Sequence, residues 1–138
     1  MANAIYPKWK ETISQADSNS ALNSAEGTTG VYVALVDTGT YTYSAAHQFY
    51  SDLSGVVGTD QEITTKTQTN GVFDGADVTF TSVSGNTVEA LVIYRKNGGA
   101  NTTWPLVAYI DSSVTGLPVT PNGGNIDIQW NVSGIFAL

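Results

Sequence analysis

From Val31 onward, short runs of β-branched and aromatic residues alternate with turns rich in Asn and Gly. That punctuation constrains the chain to antiparallel β-structure. Val31 to Val36 is a near-continuous apolar run, the pattern of a strand buried on both faces. Glu62 to Gln68 alternates, which places Thr64, Lys66 and Gln68 on a solvent face. Asp77–Val83, Val88–Lys96, Leu106–Asp111 and Asn125–Asn131 read as four further strands, and Ile135–Leu138 as a short terminal one. The turns Ser84-Gly85-Asn86, Asn97-Gly98-Gly99 and Asn122-Gly123-Gly124 put residues that tolerate positive φ where the chain must reverse. About seven strands with little helix predict a mainly β domain, an antiparallel β-sandwich or a small jelly roll.

Two helical pieces accompany the strands. Residues 3–16 predict a short helix capped by Asn3, with Pro7 in the first turn and Ile5, Trp9 and Ile13 on one face. A helix this short is marginal alone, so its Trp9 face must dock, on its own domain or on a neighbouring subunit. Residues 17–30 are small and polar and predict a flexible connection. The expected organisation is therefore a helix or arm with a polar linker over residues 1–30, followed by a β domain over residues 31–138. Ser44 to Leu53 reads as a helical insertion with Ser44 as its N-cap and Phe49 and Leu53 on one face.

The 138 residues carry five Lys or Arg against 12 Asp or Glu, a net charge of −7. The basic residues are scattered at Lys8, Lys10, Lys66, Arg95 and Lys96, so no basic face exists to displace counterions from nucleic acid or to hold an anionic membrane. Charged residues make up 12% of the chain, about half the usual share. Polarity comes from Thr, Ser, Asn and Gly instead, as for a surface that meets other protein. There is no Cys, no apolar run of secretory type before Pro7 and Lys8, and no stretch near the ~20 apolar residues of a membrane span. Synthesis in the cytosol, and retention there unless something carries the protein out, are expected.

Four constellations invite a chemical reading. Asp37-Thr38-Gly39 after the apolar Val33–Val36 is similar to the aspartic-protease signature, in which two loops of a homodimer share a proton. Thr40-Tyr41 replaces the small residue that follows in those enzymes, and no second motif matches, so a strand-ending turn is the stronger expectation. His47, the single histidine, lacks a nucleophile elbow and cannot complete a tetrahedral metal shell alone. Asp74 and Asp77 offer two carboxylates without the ladder that defines a calcium loop. Tyr41, Tyr43, Phe49 and Tyr50 concentrate aromatic surface, which suits a sugar platform or, better, a protein interface. Trp104 before Pro105 reads as an edge-strand anchor. No cofactor, metal or catalytic set is expected. The expected interface residues are Tyr6, Trp9, Ile13, Tyr41, Tyr43 and Trp104.

Several stretches carry a family resemblance: Met1–Lys8, Val33–Thr38, Tyr41–His47, Gly71–Asp74, Val88–Tyr94, and Ala108–Asp111 through Gly116–Gly124. In these the chain resembles a family of small virion proteins of tailed phages and prophages, most like capsid decoration (cement) proteins. The resemblance implies a non-enzymatic structural protein on the capsid exterior that clamps neighbouring subunits of the major capsid protein, as a dimer or trimer. A tail, collar or fibre-attachment component is the alternative, and a retroviral-type aspartic protease a distant one.

Overall fold

The computed structural model describes residues 3–23, 26–27 and 29–138. Ten strands form in chain order: β1 (Ala4–Ile5), β2 (Gly30–Val36), β3 (Val56–Glu62), β4 (Thr67–Thr69), β5 (Val72–Asp74), β6 (Val78–Phe80), β7 (Ala90–Lys96), β8 (Leu106–Ile110), β9 (Ile126–Ile128) and β10 (Phe136–Ala137). One α-helix, α1, spans Pro7–Ser14, and single 3₁₀ turns cover Ser18–Ser20, Tyr50–Asp52 and Asn101–Thr103. The mainly β expectation holds, in three antiparallel sheets with orders β1-β8-β7-β2-β3, β10-β5-β4 and β6-β9.

The long apolar runs become the middle of the five-stranded sheet. Val31, Val33, Ala34, Leu35 and Val36 of β2 are buried from both faces, as are Leu91–Ile93 of β7 and Leu106–Val107 of β8. Residues of alternate sides are buried only when both faces of a strand are covered, which is why these runs do not alternate. They join Phe80, Ile63, Ile128 and Trp130 in one continuous core.

The N-terminal segment is part of this sheet, which corrects the expected arm. Pro7 disfavours helical conformation at the residue before it, so Tyr6 is extended (φ −61, ψ 124) and α1 starts at Pro7 rather than Asn3. The residues ahead of it form the edge strand, with Ala4 opposite Tyr109 and Ile5 opposite Ala108. Asn3 caps no helix. Its Oδ1 accepts from the N–H groups of Asp111 (2.8 Å) and Ser112 (3.0 Å), closing the end of β8. Tyr6 and Trp9 are buried in the core, and the Trp9 indole donates to the Ser20 carbonyl at 3.0 Å. Asn19, in the expected hinge, accepts from the Arg95 guanidinium at 2.8 Å and donates to the Thr103 carbonyl at 2.9 Å. Residues 24, 25 and 28 of that hinge lie outside the described residues.

Three other expectations are corrected. Residues 44–53 form no α-helix. Ser44 Oγ accepts from Ala46 N–H, Asp52 Oδ2 accepts from Gln48 and Phe49 N–H, and the backbone pairs with residues 104–106 instead. Side chains that satisfy backbone groups locally compete with helix in this way. The alternating 62–68 segment breaks where Thr65 takes positive φ (54°), giving β3 and β4. Lys66 does not face solvent: its side chain is 5% exposed, with its ammonium 3.6 Å from the Glu26 carboxylate. Finally, Pro105 precedes an internal strand rather than an edge, because β8 lies between β1 and β7.

Candidate functional site

The Asp37-Thr38-Gly39 motif ends β2. Asp37 N–H donates to the Gly55 carbonyl (2.9 Å), and its own carbonyl accepts from Thr40 and Tyr41 N–H. The carboxylate accepts from Gly39 N–H (2.8 Å), Asn86 Nδ2 (3.0 Å) and Thr40 Oγ (3.1 Å). These donors, Gly39 foremost, hold the carboxyl below its ordinary range. Within the chain the carboxylate thus closes a strand-ending turn, bonding backbone two residues on. Gly55 is required beside it. Its φ is +65°, and a Cβ there would stand 2.9 Å from the Asp37 carbonyl oxygen and from Thr40 Cβ.

The turn forms one wall of an open groove of about 700 Å³, lined by Thr38, Tyr41, Thr42, Tyr43, Glu89, Tyr109, Asp111, Ser112 and Pro118. β2 delivers Thr38 and β8 delivers Tyr109, while Glu89 immediately precedes β7. Glu89 Oε2 accepts from Thr38 N–H at 3.0 Å and Thr38 Oγ at 3.3 Å, tying the turn to the neighbouring strand. Behind the groove, Tyr6 and Tyr41 hydroxyls meet at 2.8 Å, and the Tyr41 hydroxyl reaches His47 Nδ1 at 2.8 Å. Tyr43 packs on Tyr6 (ring centroids 5.1 Å apart) and on Tyr109 (5.5 Å). His47 is thus a partner of a buried tyrosine pair.

A second aromatic group gathers on β2, β7 and the loops that carry Tyr50 and Trp104. Tyr32 and Tyr94, a cross-strand pair, stack at 6.0 Å; Tyr94 and Trp104 stack at 5.9 Å, and Tyr50 fills the corner at 4.6 Å from Tyr94. The Lys96 ammonium lies 5.0 Å from the Tyr32 ring and 5.2 Å from the Trp104 ring. Asp60 sits beneath, its Oδ2 accepting from Tyr94 (2.7 Å) and Tyr50 (2.9 Å), while its buried Oδ1 has no partner among the described residues. Burial pushes the Asp60 carboxyl up, against the pull of the two hydroxyls and Lys96. Sequence reading missed this group. No local spacing marks it; only the register that sets Tyr32 opposite Tyr94 brings it together.

The expected interface residues separate into two sets. Tyr6, Trp9 and Tyr41 are inside the core, whereas Ile13, Tyr43 and Trp104 are half-buried at its rim. Ile13 lines an apolar hollow of about 490 Å³ with Ile5, Ala137 and Leu138. The Trp104 indole donates to the Gly99 carbonyl at 3.0 Å. Asp74 Oδ1 accepts from Gly75 N–H, and Asp77 Oδ1 accepts from Trp130 N–H, so both serve loop backbone. Among the described residues no cluster of three or more His, Cys, Asp or Glu could hold a metal ion. None of their helices is long and apolar enough to cross a membrane. No family model matches the chain, and no curated protein is significantly similar to it.

Proposed function

We propose that this protein is a non-enzymatic structural component of a tailed-phage virion, a head decoration protein that binds the outer capsid lattice and stabilises the head. One observation carries the reading. Eight of the nine residues lining the groove beside the Asp37 turn lie within the stretches that resemble phage virion proteins, all but Ser112. Those stretches are far apart in sequence and converge on one surface concavity, as a shared docking face would. The charge-poor, Thr- and Asn-rich remainder of the surface suits contacts built on shape and backbone hydrogen bonds. A decoration protein gains by adding buried area between capsomers, and a closed dimer or trimer would match the lattice's local symmetry axes.

The test is to add purified protein to particles lacking it. Saturable binding at many copies per particle, with a raised disruption temperature, is the expected result. Saturation at a few copies would move the protein to the tail, collar or fibre attachment, and absence of binding would refute a virion role.

A further inference from the structure

Tyr50 and Tyr94 meet as no other tyrosines among the described residues do. Their ring centroids lie 4.6 Å apart at 58°, whereas the other tyrosine ring pairs stand 5.1 to 6.5 Å apart. Their hydroxyls also converge on one atom, Asp60 Oδ2, which accepts from Tyr94 at 2.7 Å and from Tyr50 at 2.9 Å. The hydroxyl ends of both rings, and with them the ortho carbons, are thereby gathered at one spot. Asp60 itself is short of donors. Its buried Oδ1 has no partner among the described residues, and burial raises the affinity of its carboxylate for a proton. Burial, then the charge of Asp60, then the bond to it hold both phenols above their ordinary pKa, so neither ionises at neutral pH. An electron therefore leaves either ring cheaply only if the proton leaves with it, and Asp60 is the base in place to take that proton. Trp104 supplies the route inward. Its half-buried ring stacks on Tyr94 at 5.9 Å and 10°, and meets Tyr50 at 5.4 Å.

We propose that Tyr50 and Tyr94 form an intrachain dityrosine cross-link when the protein meets a one-electron oxidant, with Trp104 relaying the oxidation and Asp60 accepting the protons. The oxidant takes one electron from Trp104. The indole radical takes one in turn from Tyr94 or Tyr50, whose hydroxyl proton passes to Asp60. Once Asp60 has given that proton to solvent, a second event of the same kind oxidises the other ring. The two phenoxyl radicals couple through one ortho carbon each, and the hydrogens on those carbons move to the phenol oxygens. One C–C bond has then formed, two electrons have gone to the oxidant and two protons to solvent. Rings already in contact couple without a diffusional search, which favours this product over links between chains. The link ties the turn Tyr50–Asp52 to β7. None of this depends on the virion reading.

In the test, dilute protein is photo-oxidised with tris(bipyridyl)ruthenium and persulfate, digested with trypsin and mapped by mass spectrometry. Cleavage after Lys66 and Arg95 separates the two residues: peptide 67–95 holds Tyr94 as its only tyrosine, and peptide 11–66 holds Tyr50. The expected product is a monomeric chain lighter by two hydrogens, with dityrosine fluorescence and peptide 11–66 joined to 67–95. Tyr50→Phe should remove that junction, while Tyr32→Phe, in the same peptide, should keep it. Asp60→Asn still accepts from the hydroxyls but takes no proton, and should cut the yield about tenfold. Trp104→Phe keeps a stacked ring that is far harder to oxidise, and should cut the yield by a similar factor. Fragmentation of the joined peptide places the link at Tyr50 in wild type, which serves if a variant fails to fold. A junction that survives Tyr50→Phe, or wild-type yield in Asp60→Asn and Trp104→Phe, would overturn the proposal. So would links between chains only, junctions of 11–66 with 1–8 or 97–138 in its place, an equal yield in urea, or no link at all.

Discussion

Two aspartates flank β2 and have opposite surroundings. Asp37, at the strand's end, is encircled by donors: an N–H, an amide and a hydroxyl. Asp60, on the neighbouring strand β3, lies under tyrosine and tryptophan rings with two hydroxyl donors and one unpartnered oxygen. The first carboxyl is held below its ordinary range and the second above it. Both accept hydrogen bonds from their surroundings, yet only the first looks like a catalytic motif in sequence. The difference teaches that donor count and burial, not the neighbouring letters, set a carboxylate's chemistry.

The largest effect is expected on the donor-rich side. Gly55→Val places a branched side chain at φ +65° against the Asp37 carbonyl, and should cost about 2–4 kcal/mol in denaturant unfolding. A loss under about 1 kcal/mol would show that the turn relaxes freely and that the contrast is overdrawn. On the ring-covered side, Tyr94→Phe removes the shorter bond to Asp60 and should cost about 2 kcal/mol at neutral pH. Between the two, Tyr41→Phe breaks the hydroxyl's bonds to Tyr6 and His47 and should cost about 1 kcal/mol, less than the loss at Asp60.

The smallest and most discriminating effect is in pH dependence. Asp37 binds its proton less readily folded than unfolded. Its contribution is present above the ordinary carboxylate pKa and is lost as pH falls through its lower folded value. Asp60 binds its proton more readily folded than unfolded. Its contribution is present below the ordinary carboxylate pKa and is lost as pH rises through its higher folded value. The stability gap between wild type and Asp37→Asn should therefore narrow on acidification, and that between wild type and Asp60→Asn should move in wild type's favour. Gaps that drift the same way would break the comparison.

How much of this was legible follows the same division. The apolar runs of β2, β7 and β8 announced buried strands because a strand covered on both faces has no reason to alternate. The turn at Asp37 was legible because an Asx turn is local. The N-terminal segment is legible only in part: Pro7 does sit in the helix's first turn, but its restraint on Tyr6 starts the helix there and frees residues 4–5 to become an edge strand. Lys66 looked solvent-facing because its partner Glu26 lies 40 residues away in sequence. Asp60 carries no local mark, since its burial comes from rings on β2, β7 and two loops.

The proposed function assigns the protein's work to its surface, which would clad an assembled capsid. The most direct measurement of that proposal is the copy number of the chain in purified virions of a tailed phage whose genome carries its gene, by quantitative mass spectrometry against the major capsid protein. A decoration role predicts an abundance of the same order as the major capsid protein. A handful of copies, or none, would contradict it.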